Sequence, residues 1–268
     1  MFTLLLSMFQ AFKVYGLDFE GDTDSCYRQG RAVTHHYETQ IRDKLDSFIS
    51  TGNGIDGSSL QDHWFPQVDA DIFLSHSHSD LELALKFAGW IKSNFDLKVF
   101  IDWCVWGYAD NLLRQIDSIY CMIPGGNTYS YSKRNGSTSH VHMMLATALA
   151  MMIDNTEALF FLETPNSITA EESINKTCSP WLFSEIAITN IIRKKPPEFH
   201  RQIASFSESV QRRDAHRNLE IRYTVDTQAL VNLELEDLNN WLDLHNQSDR
   251  HGLDTLYDVA GSNSLVIS

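Results

Sequence analysis

The chain has 268 residues, of which 43% are hydrophobic and 21% charged, so it carries enough apolar material for a packed core. Its 35 acidic and 21 basic residues give a formal net charge of −14. This excess argues against a nucleic-acid partner and against a membrane surface, because both need clustered Lys and Arg. No apolar run approaches the roughly 20 residues of a membrane-spanning helix. The 4 cysteines form no C-x-x-C pair, which favours a reducing, cytoplasmic location.

The predicted elements divide the chain into three segments. Residues 1–66 are predicted as an N-terminal helical extension, with an amphipathic helix within 24–50 and a break rich in Gly and Ser at 51–59. Residues 67–226 are predicted as an α/β core. Residues 227–268 are predicted as a C-terminal helix and tail.

Strand and helix patterns alternate along the core. The apolar runs typical of strands are residues 70–74, 98–101, 158–162 and 219–225. This alternation predicts a parallel sheet covered by helices on both faces, a three-layer α/β arrangement. A fifth strand is not evident, and either 2–6 or 264–267 could supply an edge. Residues 122–138, rich in Gly, Ser, Asn and Tyr, are predicted as a long loop.

Ligands of open parallel sheets bind beyond the carboxyl ends of the strands. The loops expected there, and the helix that follows the third strand, hold the candidate binding residues Ser75, His76, Ser77, Asp102, Trp103, Trp106 and Trp181. The aromatic rings suit stacking on a planar base, although packing in the core is an equally good interpretation.

Glu185 is the candidate catalytic residue. It lies one helical turn after Trp181, with Leu182 and Ile188 on either side, so its carboxyl group faces apolar neighbours. Poor solvation should raise its pKa, as is common at functional sites. The alternative interpretation is an ordinary surface glutamate beside a core tryptophan.

Three motifs in order resemble a TIR (Toll/interleukin-1 receptor) domain. They are DIFLSHS at 71–77, KVFID at 98–102 and SPWLFSEI at 179–186. The resemblance implies a flavodoxin-like TIR fold and, as in many bacterial members, cleavage of NAD⁺ at the nicotinamide–ribose bond. Glu185 matches the essential helix glutamate. The resemblance also implies self-assembly through TIR–TIR contacts and a role in bacterial stress or anti-phage signalling, with a partner effector.

The implied chemistry suits these residues. Cleavage of the bond leaves a positively charged, oxocarbenium-like ribose, which a nearby carboxylate stabilises. Nicotinamide leaves as a neutral pyridine, so one carboxylate suffices, and we expect neither a metal nor a cofactor besides NAD⁺ as substrate. Ser75 and Ser77 would offer hydroxyl groups to the pyrophosphate beside a helix N-terminus. The product would be linear or cyclic ADP-ribose.

Three alternatives remain open. His76, His78 and Asp80 have the H-x-H-x-D spacing of a metal-dependent hydrolase, although the set of ligands is incomplete. A non-catalytic TIR module would bind partners through residues 102–110, with the tryptophans at the interface. An enzyme similar to nucleoside deoxyribosyltransferases would share the topology and a catalytic carboxylate.

Overall fold

The computed structural model describes most of the chain. The described residues are 9–17, 23–38, 49–50, 54–171, 174–177, 179–192 and 223–266. The strands are β1 (Gln10–Val14), β2 (Ile49–Ser50), β3 (Gly54–Ile55), β4 (Ile72–Ser75), β5 (Val99–Ile101), β6 (Ala158–Leu162), β7 (Thr169–Glu171), β8 (Ile174–Thr177), β9 (Tyr223–Thr224) and β10 (Val231–Leu233). The helices are α1 (Thr23–Glu38), α2 (Gly57–Trp64), α3 (Leu81–Phe95), α4 (Trp103–Ile116), α5 (Tyr131–Asn155), α6 (Pro180–Ile191), α7 (Leu235–Asn246) and α8 (Gly252–Val266).

Within this part of the chain the main sheet has five strands, all parallel, in the order β10-β1-β6-β4-β5. The predicted α/β class and parallel sheet are confirmed, as are the strands at 70–74, 98–101 and 158–162. The layout is compatible with a flavodoxin-like fold, whose strand order is 2-1-3-4-5. Here, however, β1 lies beside β6, in the fourth position of the sheet counted from β5. In the flavodoxin order that position belongs to the fourth strand of the chain.

The sheet is covered on both faces, as the apolar strands β5 and β6 at its edge and centre require. Phe73 of β4 and Leu159 of β6 point into a core formed with α2, α4, α5 and α6. Their neighbours Ile72 and Phe160 point the opposite way, into a core formed with α3, α7 and α8. Alternate residues of each strand therefore serve opposite cores, and the domain has three layers.

Helices α1 and α3 cross at two glycines. A Cβ atom at Gly30 would lie 2.0 Å from the backbone oxygen of Leu85, and one at Gly89 would lie 1.9 Å from that of Cys26. Neither distance leaves room for a side chain, so the close contact of these helices depends on glycine at both positions.

Several predicted elements differ in the structure. The main sheet takes β1 and β10 from outside residues 67–226, and the edge strand expected at 264–267 is wrong because α8 continues through Val266. Strand β9, in the predicted fourth strand at 219–225, pairs antiparallel with β8 in a separate small sheet. Residues 2–6, 39–48 and 219–222 lie outside the described part of the chain.

Two predicted loops are largely helical. The segment after β5 enters α4 at Trp103, and much of the predicted loop at 122–138 is the first part of α5. Before α5, a short turn closes through an isolated bridge between Met122 and Tyr129. Tertiary packing overrides the weak helix propensity of these Gly- and aromatic-rich stretches.

Candidate functional site

A cavity of about 360 Å³ lies beyond the carboxyl ends of β4 and β5, where an open parallel sheet binds ligands. Its lining comes from the segment after β4, from the start of α4 and from the start of α6. The lining residues are His76, His78, Asp102, Asp110, Ser179, Trp181 and Leu182. Two acidic groups, two imidazoles and an apolar wall therefore face one volume.

The start of α6 is fixed by its sequence. The Ser179 hydroxyl oxygen accepts a hydrogen bond from the backbone N–H of Leu182 (3.3 Å), and Pro180 occupies the first helical position. This start places Trp181 and Leu182 on the cavity wall and turns Glu185, one turn later, towards the sheet. Glu185 is only 1% exposed and lies behind the lining.

Glu185 meets two polar groups where it is buried. The Ser75 hydroxyl donates a hydrogen bond to Oε2 of Glu185 (2.5 Å), and the carboxyl group of Asp102 lies within hydrogen-bonding reach. Burial, and then the negative charge of Asp102, raise the pKa of Glu185 well above its usual value, while the Ser75 hydrogen bond opposes that rise. The prediction of a raised pKa is confirmed.

The two acids behave as a pair. Two adjacent buried carboxylates repel each other, so such pairs hold one proton between them. Among the described residues, Oε1 of Glu185 has no hydrogen-bond partner, so nothing there stabilises the charged form of this acid. Of the two carboxyl groups, that of Asp102 is the one that lines the cavity.

His76 extends the network to the cavity. Its Nδ1 lies 2.8 Å from Oδ1 of Asp102, at ion-pair distance but without the alignment of a good hydrogen bond. The side chain is almost completely buried, and Nε2 has no protein partner among the described residues. A buried imidazole nitrogen at a cavity wall is available to a ligand or to a water molecule.

The segments around the cavity are tied together. The Asp80 carboxylate accepts hydrogen bonds from Thr164 Oγ1 (2.5 Å) and Asn166 Nδ2 (2.7 Å), which joins the segment after β4 to the segment after β6. The ring of His142, on α5, meets Trp181 edge-on with 5.7 Å between the ring centroids. The rim and the aromatic wall are thus supported from neighbouring elements.

The structure brings together most of the predicted site residues. Ser75, His76, Asp102, Trp181 and Glu185 form one connected group around the cavity. Ser75 is fully buried and gives its hydroxyl hydrogen to Glu185, so it positions that acid and does not offer a pyrophosphate contact.

The remaining predicted residues contribute less or lie outside the description. Ser77 caps the short 3₁₀ turn before α3, and its backbone oxygen accepts from the N–H of Asp80. Trp103 and Trp106 belong to the first turn of α4, but their side chains lie outside the described part.

Asp110 and Ser179 are not among the predicted binding residues, yet both line the cavity, Asp110 from the middle of α4 and Ser179 as the N-cap of α6. In the sequence, the one signal that could have identified Asp110 as a cavity residue is its closeness to the end of the predicted strand at 98–101.

The predicted metal ligands do not form a cluster. His76, His78 and Asp80 bring no three ligand atoms close together, and both carboxylate oxygens of Asp80 are occupied by Thr164 and Asn166. Among the described residues, three potential ligands come within 4.8 Å of one another elsewhere, at the amino end of β6: Glu157, His251 and Asp254. No metal site is therefore formed by the H-x-H-x-D motif in this geometry.

Comparison with protein-family models, with curated proteins and with solved structures finds no match to this chain. The site must therefore be interpreted from its own geometry. Of the helices that the structure describes, none combines the length and the apolar character needed to cross a membrane.

Proposed function

We propose that this chain is a TIR-like hydrolase that cleaves the nicotinamide–ribose bond of NAD⁺. The observation that carries the proposal is the position of Asp102 on the wall of a cavity that Trp181 and His76 also line, with the buried Glu185 directly behind it. The resemblance to TIR domains supports the same bond as the target and a role in bacterial stress or anti-phage signalling.

The proposed reaction begins as the C–N bond breaks and its electron pair passes to the positively charged nicotinamide nitrogen. Nicotinamide leaves neutral, so no acid needs to protonate it. The ribose becomes an oxocarbenium ion, which the negative charge on Asp102 stabilises. A water molecule then adds to this carbon, and its proton passes to the carboxyl pair and on to solvent.

The two acids divide this work. Asp102 lines the cavity and is the carboxyl group that faces the sugar. Glu185 lies one layer deeper, holds the shared proton and, with Ser75 fixing its orientation, keeps Asp102 in place. Because the pair carries one proton, it can both balance the positive ribose and accept the proton of water.

The direct test is release of nicotinamide from NAD⁺ by the purified, concentrated chain, with Glu185→Gln and Asp102→Asn beside it. An amide has the size of the acid but cannot accept or pass on a proton, so each variant should lose about 10²- to 10⁴-fold in rate. The double variant should be little slower than either single one, since the two acids act as a unit.

Glu157→Gln provides a matched control, because Glu157 is also a buried glutamate but lies at the opposite end of the sheet, before β6. It should keep the wild-type rate. A wild-type rate in Glu185→Gln, or no nicotinamide release by the wild-type chain at any concentration, would contradict the proposal.

A second candidate function, self-association, is favoured by an exposed apolar patch on the turn between α4 and α5. Its side chains are between 38% and 56% exposed, and they are Ile119, Tyr120, Met122, Ile123, Tyr129 and Tyr131. Patches of this kind commonly mark interfaces. The adjacent Lys133 and Arg134 give the patch a basic border on a chain of net charge −14, so a second copy offers the complementary surface.

Light scattering over a concentration series tests this second candidate. The wild-type mass should rise with concentration, and Ile123→Glu should abolish the rise. Ile191→Glu is the control, because Ile191 is 79% exposed on α6, away from the patch, and should associate normally. If the wild-type chain has the mass of a monomer at every concentration, self-association through this patch is refuted.

A further inference from the structure

Among the described residues that line the cavity, those with a formal charge are acidic: Asp102 and Asp110. Glu185 lies behind Asp102. Among the described lining residues there is no Lys or Arg. Arg114, one turn after Asp110 on α4, is not a lining residue, and its Nε donates to the backbone oxygen of Asp110 (3.2 Å). The cavity therefore attracts a cation and repels a phosphate.

The apolar wall also suits a cation. Trp181 lines the cavity as a half-buried indole, and tryptophan is the aromatic residue that binds cations best through its ring face. Leu182 continues the wall beside it. A flat, positively charged ring would find an indole on one side and carboxylates on the other.

Most of the polar groups that could hold a phosphate serve other purposes. The hydroxyl hydrogen of Ser75 is committed to Glu185, whereas Ser179, whose hydroxyl oxygen caps α6, could donate one hydrogen bond to a ligand. His76 presents Nε2, but its other nitrogen adjoins Asp102, so an anion there would lie close to a carboxylate. A phosphate in the cavity would gain little to offset the repulsion from Asp102 and Asp110.

We infer that the cavity takes a cationic pyridinium nucleoside without phosphate, so that nicotinamide riboside is a better substrate than nicotinamide mononucleotide. This inference rests on the proposed function and specifies its substrate class. Asp110 is the specificity-determining residue, because it faces the cavity and is not part of the group formed by Ser75, Glu185 and Asp102. NAD⁺ carries a phosphate at the same 5′ position as the mononucleotide, so the riboside should also be cleaved faster than NAD⁺.

The experiment compares kcat/KM for nicotinamide release from nicotinamide riboside and nicotinamide mononucleotide. The riboside should be favoured roughly tenfold or more, because the added phosphate faces like charges. Asp110→Asn should reduce that preference by about threefold or more, since one of the repelling charges is gone. Asp243→Asn, which removes the same charge from an exposed position on α7, should leave the preference unchanged.

Calorimetric titration of Glu185→Gln with each compound measures binding without turnover, and inosine serves as an uncharged nucleoside. The riboside should bind more tightly than either the mononucleotide or inosine. If NAD⁺ is cleaved but the riboside is neither bound nor cleaved, this inference is overturned while the proposed function stands. If the riboside binds preferentially but no compound releases nicotinamide, the proposed function fails and the cation site remains. Equal or tighter binding of the mononucleotide overturns the inference directly.

Discussion

Replacing Glu185 by glutamine should stabilise the folded chain at neutral pH, by an amount that grows as the pH rises. The native state keeps a proton on this buried acid, whereas the unfolded chain releases it above the usual glutamate value of 4.5. Because the unfolded chain then binds fewer protons than the native one, raising the pH favours unfolding. The glutamine variant has no proton to lose, so it avoids this penalty while keeping the volume of the acid and its contacts with Ser75.

The size of the effect follows from proton linkage. Above pH 4.5 and below the raised native pKa, the free-energy difference between the two proteins should widen by up to about 1.4 kcal/mol per pH unit. In a domain of this size that corresponds to roughly 3–5 °C in Tm per pH unit. The widening should stop where the native carboxyl group itself ionises.

Thermal unfolding of both proteins from pH 4 to pH 8, roughly the window in which this linkage acts, is the suitable assay. The lowest pH is an internal control, because there both states of the wild type are protonated and the comparison reports the amide substitution alone. A Tm difference that stays constant across the series would show that Glu185 is ionised in the native state, and the shared-proton description would then be wrong.

Two further predictions concern packing and metal dependence. Gly89→Ala should lower the free energy of unfolding, measured by chemical denaturation, by about 2 kcal/mol or more, because its Cβ would meet the Cys26 backbone oxygen at 1.9 Å. Gly136→Ala, with nothing within 4 Å of the added atom, should instead stabilise α5 by roughly 0.5–1 kcal/mol. Equal effects of the two substitutions would refute the tight helix contact. Nicotinamide release should also be unaffected by EDTA, and loss of activity that zinc restores would favour a metal held by His76 and His78.

Much of the sheet and part of the site could be predicted from the sequence. The apolar runs of β4, β5 and β6 are bounded by polar residues, and their alternation with helices determines the parallel arrangement. The same alternation places Ser75 and Asp102 at one edge of the sheet. The Ser-Pro start of α6 fixes which face carries Trp181, and hence where Glu185 points.

The rest depends on contacts between distant parts of the chain. The run at Gln10–Val14 is short and lies near an apolar N-terminus, and only its pairing with β6 and β10 shows that it is a strand inside the sheet. The pairing of Glu185 with Asp102 likewise requires the position of α6 over the end of β5, which no spacing along the chain reveals. The start of α4 at Trp103 is a third case, because its sequence lacks strong helix formers.

The proposed chemistry depends above all on the proton that Glu185 holds beside Asp102. Infrared difference spectroscopy at neutral pH, comparing the wild type with Glu185→Gln, measures that proton most directly. We predict a carbonyl stretching band of a protonated, hydrogen-bonded carboxylic acid that is present in the wild type, absent from Glu185→Gln and retained in Glu157→Gln. A difference spectrum that contains only carboxylate bands would contradict the account.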